Sequence, residues 1–175
     1  GEPSGEPIDV EALRERRLHV LDAVGQREGD LLRGRRPGLG EQRVAIVRGV
    51  RAIELDVRGV WPDRKFAAVY SANTAHIMGW PEVCDMVSGI GRRLEPGGTF
   101  FLYGPFNEGG RATAESNSEF DRHLQARDPA MGLRDVEELD ALARQHRMRL
   151  NERVAMPANN QLLVFSRHDG ECTDE

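Results

Sequence analysis

Lysine is nearly missing from these 175 residues: Lys65 is the only one, and the other 23 of the 24 basic residues are arginine. Such a bias reflects a GC-rich gene more than a function. Cysteine is scarce too. Cys84 and Cys172 lie far apart and match no metal-ligand spacing, so the expectation is a cytoplasmic protein with no disulfide and no metal. No apolar run approaches the ~20 residues that span a bilayer. The opening Gly-Glu-Pro-Ser-Gly-Glu-Pro also lacks the basic start and apolar stretch of a secretory signal. A net charge of -5 argues against wholesale nucleic-acid binding, while leaving room for a local basic patch. Several constellations are missing as well: GxGxxG after a first strand, GxxxxGK[ST], HExxH, CxxC and GxSxG. Hydride transfer, phosphoryl transfer, zinc hydrolysis and serine hydrolysis lose ground together.

What is there suits one soluble domain: 39% of residues are hydrophobic and 30% charged, in a chain long enough for a substantial core. Residues 1–17 read as a leader and a short helix (8–17, capped by Asp9), residues 18–167 as the domain, and 168–175 as a polar tail. Within the domain, 18–23 reads as a buried strand ending in an acid, but 24–50 lacks a steady period and reads as irregular. Strands are predicted at 52–57, 65–71 and 99–103. A helix over 80–94 follows from Val83, Met86, Val87, Ile90 and Leu94, with Pro81 in its first turn and Glu95-Pro96-Gly97-Gly98 as its breaker. A loop is expected at 104–113, then helices at 115–126 and 134–146. Two strands, 149–156 and 161–167, flank Pro157-Ala158-Asn159-Asn160 as an antiparallel hairpin. The order predicts an α/β fold with an antiparallel edge.

In open α/β sheets, ligands bind outside the carboxyl ends of the strands. That rule singles out Asp22, the run from Ser71 through Ala72, Asn73, Thr74 and Ala75 to His76, the run from Tyr103 to Asn107, and Asp56. Each has a plainer reading. Asp22 also suits a turn or helix cap, His76 a satisfied half-buried histidine, and Tyr103 a packing role. Asn159 also suits a left-handed turn position, and the arginines of 33–36 a solvated stretch.

Four phrases, FAAVYSANTAHIMGWPEV, LEPGGTFFLYGPFNEGGRATAESNSEFD, ARDPAMGLRD and ERVAMPANNQLLVFSR, closely resemble the methyltransferase-like 26 family, in that family's order and over roughly residues 50–167. The family is related to the class I S-adenosylmethionine-dependent methyltransferases. The resemblance implies a Rossmann-like, mostly parallel sheet that ends in a hairpin, with S-adenosylmethionine as cofactor and an unknown methyl acceptor as partner. It implies cofactor contacts at Asp22, Gly25, Asp56, Ser71, Ala72 and Asn73. The phrase from Gly104 to Phe106 would line the substrate side, and Asn73, His76, Tyr103 and Asn107 would orient the acceptor. Methyl transfer needs little acid-base chemistry, because the sulfonium is already activated and the protein mainly aligns the nucleophile.

One stretch departs from that family. Relatives follow the first strand with a turn like E-x-G-x-G-x-G, and here HVLD runs into AVGQREGD, with Gly25 and Gly29 but without the compact spacing. Only glycine lets the backbone pass so close to a ligand at positive φ. LLRGRRPGLGEQR is a poor helix after it, and the acid that should meet the ribose has no counterpart better than Glu41. A reading-frame shift from Gly25 onward is one explanation to test, since shifted codons permit Gly-Ser-Gly and an apolar helix. The alternatives are therefore a methyltransferase, a non-catalytic module of the same fold, or a truncated or frameshifted product that no longer binds cofactor.

Overall fold

The computed structural model describes residues 20–22, 51–53 and 55–168. The helix expected at 8–17 and the whole of 24–50, with Gly25, Gly29 and Glu41, lie outside them.

The main sheet has four strands, β3 (Phe66–Ala72), β4 (Leu94–Gly104), β8 (Met148–Met156) and β9 (Asn160–Arg167), in the order β3-β4-β9-β8. β3 pairs parallel to β4, whereas β9 runs antiparallel to both β4 and β8. Two short strands, β1 (Val20–Asp22) and β2 (Arg51–Ile53), pair antiparallel, and β1 lies beside β3. The pairing is thus mixed, not the mostly parallel sheet expected from the sequence. The hairpin places β9 between β4 and β8 and reverses two of the three ladders of the main sheet. The predicted strand at 52–57 also shortens: Leu55, Asp56 and Val57 leave the strand and lead into a turn.

The helix α1 (Trp80–Arg93) buries Val83, Met86, Val87 and Ile90, the face its three- and four-residue spacing predicts. Pro81 sits in the first turn, where its missing N–H is no loss, and Arg92 and Arg93 close the last turn against the helix dipole. Leu94 is already extended and opens β4. Glu95 to Gly98 then form an irregularity, with Gly97 at φ 72°, before regular pairing resumes at Thr99. The helix α3 (Val136–Gln145) begins at Asp135, whose side chain accepts the Glu137 N–H, and it buries Val136, Leu139, Leu142 and Ala143.

Helices α1 and α3 pack together, and their buried faces join Phe66, Val69, Phe100, Leu102, Leu163 and Phe165 of the sheet in one core. Phe100 and Phe165 stack across β4 and β9 at 5.5 Å. Each such side chain, fully buried, contributes about 1.5–3 kcal/mol. A second, smaller cluster of Ile77, Leu124 and Leu133 seats α2 (Glu115–Arg127) beyond the ends of the strands. Where a loop was expected at 104–113, two short strands form, β5 (Phe106–Glu108) and β6 (Arg111–Ala112). With β7 (Arg134–Asp135) they make a three-stranded sheet.

Candidate functional site

The site grows from the carboxyl ends of the parallel pair β3 and β4. As β3 ends, Ser71 turns its hydroxyl to Thr74, and the pair is buried. Asn73 takes φ 55° and donates its backbone N–H to the carbonyl of Tyr103 at 2.9 Å, which ties the two strand ends together. The chain then folds inward, burying Thr74, Ala75, His76, Ile77 and Met78.

Arg134 holds that buried turn in place. Its guanidinium donates to the carbonyls of Ala75 (3.1 Å), Met78 and Ala130 (2.9 Å). The turn is fixed from its other side by the Gly132 N–H, which donates to the His76 carbonyl at 3.0 Å. The His76 ring, 5% exposed, meets the Phe120 ring edge-on at 5.3 Å. Burial, helped by the charge of Arg134, pushes its pKa down to about 4, so the imidazole is neutral at pH 7.

Gly104 closes β4 between these groups. A Cβ placed there would lie 3.6 Å from Asn73 Oδ1, 3.7 Å from His76 Nδ1 and 3.8 Å from the Phe106 ring. The bare glycine thus leaves a hollow between the two polar side chains. Asn73 and His76 also line a cleft of about 640 Å³, walled further by Pro105, by Asn117, Phe120, His123 and Arg127 of α2, and by Ala158 and Asn160 of the hairpin turn. The turn is latched to α2. Asn117, buried, donates to the Asn159 carbonyl at 3.1 Å, and Asn159 donates back to Ser116 at 3.0 Å. Ala158 and Asn159 both take φ 57°, as a tight hairpin turn demands.

The structure sorts the residues singled out in the sequence. Asn73 and His76 share the cleft. Tyr103, half-buried, contributes its carbonyl to Asn73. Asn107 sits in β5 opposite Ala112 and Asp135, with its Oδ1 buried and without a hydrogen-bond partner among the described residues. Ser71 spends its hydroxyl on Thr74, and Ala72 is the last residue of β3. Asp56 lies in an exposed turn and pairs with Arg58, whose hydrogen bonds and charge hold its carboxyl below the usual range. Asp22 closes β1, and Gly25 falls outside the described residues.

Sequence reasoning pointed to Gly104 through the phrase it shares with Phe106, but missed Arg134 and the α2 wall with Asn117, Phe120, His123 and Arg127. A lone arginine, or a histidine on a polar helix, carries no signal in sequence. Only the tertiary fold brings them to the strand ends.

Several solved structures share this architecture. Mitomycin 7-O-methyltransferase MmcR superposes with a TM-score of 0.58 at 14% identity, over 66% of this chain and 33% of that one. An O-methyltransferase family protein from Burkholderia thailandensis gives 0.54 at 17% identity, over 62% and 32%. CalO1, a methyltransferase in calicheamicin biosynthesis in its SAH-bound form, gives 0.54 at 17%, over 66% and 33%. The chain spans about a third of the length of these proteins. At such identities the likeness establishes a methyltransferase-like fold. A family pattern described as "Protein of unknown function (DUF938)" matches residues 43–167, most of the chain and nearly all of the fold just described, and the chain belongs to that family.

Proposed function

We propose that this chain is an S-adenosylmethionine-dependent methyltransferase, or the acceptor-binding part of one, within the narrower methyltransferase-like 26 group that its four phrases resemble. The observation that carries the reading is the hollow over Gly104, flanked by Asn73 and His76 at the carboxyl ends of two parallel strands, where ligands of open α/β sheets bind.

The described residues fit such a cofactor in part. The edge at Asn73 is open: its side chain is exposed and faces the space that Gly104 leaves free. Ala72 offers only backbone and a methyl group, and Ser71 is committed to Thr74. Asn73, with the backbone of Ala72, is therefore the contact we assign to this end, and Asp22, which closes β1, and Gly25 remain proposed contacts. Asp56 would have to release Arg58 to take part.

When bound, S-adenosylmethionine supplies a methyl group on an already activated sulfonium. The chain's own task is alignment. His76, neutral and wedged against Phe120, accepts or donates one hydrogen bond and so fixes an acceptor hydroxyl or amine in one orientation. Asn73 offers both a donor and an acceptor across the same hollow. Phe120 and Pro105 give the acceptor apolar walls and displace water, while His123 and Arg127 stand among the cleft's polar groups.

Calorimetry of S-adenosylhomocysteine against the purified chain tests the reading, with a thermal melt as control. Micromolar binding, weakened in a Gly104→Ala variant, is the expected outcome. No binding by a cooperatively melting chain overturns it and leaves a non-catalytic module of the same fold.

A further inference from the structure

A second groove lies at the opposite end of the sheet. The register sets Arg167 one residue beyond the Thr99–Ser166 pair and opposite Met148, at the amino ends of β4 and β8. Gly104 is five residues further along β4, about 17 Å away at strand rise. Here the last turns of α1 and α3 meet. Gly91 permits it: a Cβ there would sit 2.7 Å from the His146 carbonyl oxygen and 2.8 Å from its Cβ. The groove, about 480 Å³, is lined by Arg92, Arg93, Arg147 and Arg167 with His146, and among the described residues no carboxylate lines it.

The plain account of these arginines is that they answer the negative ends of two helices. It explains some of them. Arg167 donates to the Leu94 carbonyl, and Lys65 already serves the Arg92 carbonyl at 2.5 Å. Arg93 pairs with Asp63 at 2.9 Å, and Arg92 with Ser88. Two things are left over. The Nε groups of Arg93 and Arg167 are buried without a hydrogen-bond partner among the described residues. Arg147 takes φ 61° just after the α3 cap, a position that favours glycine or asparagine and strains any longer side chain. Its backbone N–H donates to the Arg144 carbonyl at 3.1 Å and its carbonyl accepts from the His168 N–H at 2.9 Å, while the residue lines the groove.

We propose that this groove binds a small oxyanion of the phosphate or pyrophosphate type, free or as the terminal group of a small molecule. Four arginines line the one groove, and each guanidinium carries more N–H donors than the single bonds of Arg92, Arg93 and Arg167 named above take up, matching the multiple acceptor oxygens of such an anion. Burial, with the charge of Arg92, pushes the His146 pKa below its usual value, so the arginines carry the groove's charge. The site is independent of the methyl-transfer reading, since it lies at the other end of the strands.

The test is a calorimetric titration of the full chain with inorganic pyrophosphate, and with orthophosphate to separate a single phosphate from a longer anion. A parallel titration with a single-stranded oligonucleotide separates a small anion from a polymer. We expect pyrophosphate to bind, and Arg147→Gly to weaken it roughly tenfold or more while melting at the same temperature or higher, because glycine suits φ 61°. Arg147→Asn, which also tolerates that φ, should behave alike. Absence of pyrophosphate binding at millimolar concentration overturns the proposal, as does unchanged affinity in both variants. Loss of binding together with a lower melting temperature in both would make Arg147 structural and overturn it too. So would binding of the oligonucleotide alone.

Discussion

Asn73 donates its backbone N–H to the Tyr103 carbonyl at 2.9 Å while holding φ 55°, so one residue both joins the ends of β3 and β4 and aims its side chain at the space above Gly104. The backbone bond does not depend on the side chain, which separates structure from function by substitution. Asn73→Gly should keep stability within about 1 kcal/mol of the original, since glycine takes positive φ freely. Asn73→Ala should cost about 1–2 kcal/mol through the same φ. Both should lose S-adenosylhomocysteine affinity or methyl transfer alike. If only the alanine variant is impaired, Asn73 matters for its backbone alone.

His76 gives the fold a pH dependence. Its pKa falls from 6.5 to about 4 on folding, so between those values the unfolded chain binds more protons than the folded one. The stability tied to its neutral form is fully present above pH 6.5 and is lost as pH falls toward 4. The amount is about 3 kcal/mol. Urea unfolding at pH 7 and pH 4.5 should show this loss, and it should shrink in His76→Gln. An NMR titration placing the His76 midpoint near 6.5 would remove the effect.

Gly104→Ala is the narrowest probe of the cleft. Its Cβ would make ordinary contacts of 3.6–3.8 Å, so the fold should tolerate it within about 1 kcal/mol. It nevertheless fills the space shared by Asn73 and His76, and ligand affinity should drop roughly tenfold. Equal ligand binding by both proteins in calorimetry would place the ligand elsewhere.

Asn117 is a test of the cleft wall. Its side chain is buried and donates to Thr113 Oγ1 at 3.0 Å and to the Asn159 carbonyl at 3.1 Å. Asn117→Ala should cost about 1–3 kcal/mol by leaving those acceptors short. It should also speed amide exchange in the turn 157–160 more than in β8 or β9. Uniform exchange across the hairpin would deny the latch.

Much of this fold was legible from local pattern. The α1 face at Val83, Met86, Val87 and Ile90, the α3 face at Val136, Leu139, Leu142 and Ala143, and the hairpin around Asn159 each follow from short-range periodicity or turn chemistry. Strand direction and order were less so, because apolar composition does not say which neighbour a strand will take. β5, β6 and β7 are two or three residues long and show no period. At the site, Asn73 and His76 were visible because they follow a strand. Arg134 reaches Ala75 and Met78 from more than fifty residues away, and Gly89 gives way to Trp61, whose ring would lie 2.1 Å from a Cβ there. Contacts of that range leave no trace in a local window.

The place of β9 has a consequence for how the molecule comes together. It fills the slot between β4 and β8, so β4 has no partner on that side until residues 160–167 arrive, some sixty positions later in the chain. Closing so long an intervening segment is slow, and in the meantime β4 and β8 present bare edges that other chains are able to pair with. During synthesis the half-made sheet is therefore at its most adhesive just before its last strand emerges, and a break ahead of residue 160 would leave it permanently so.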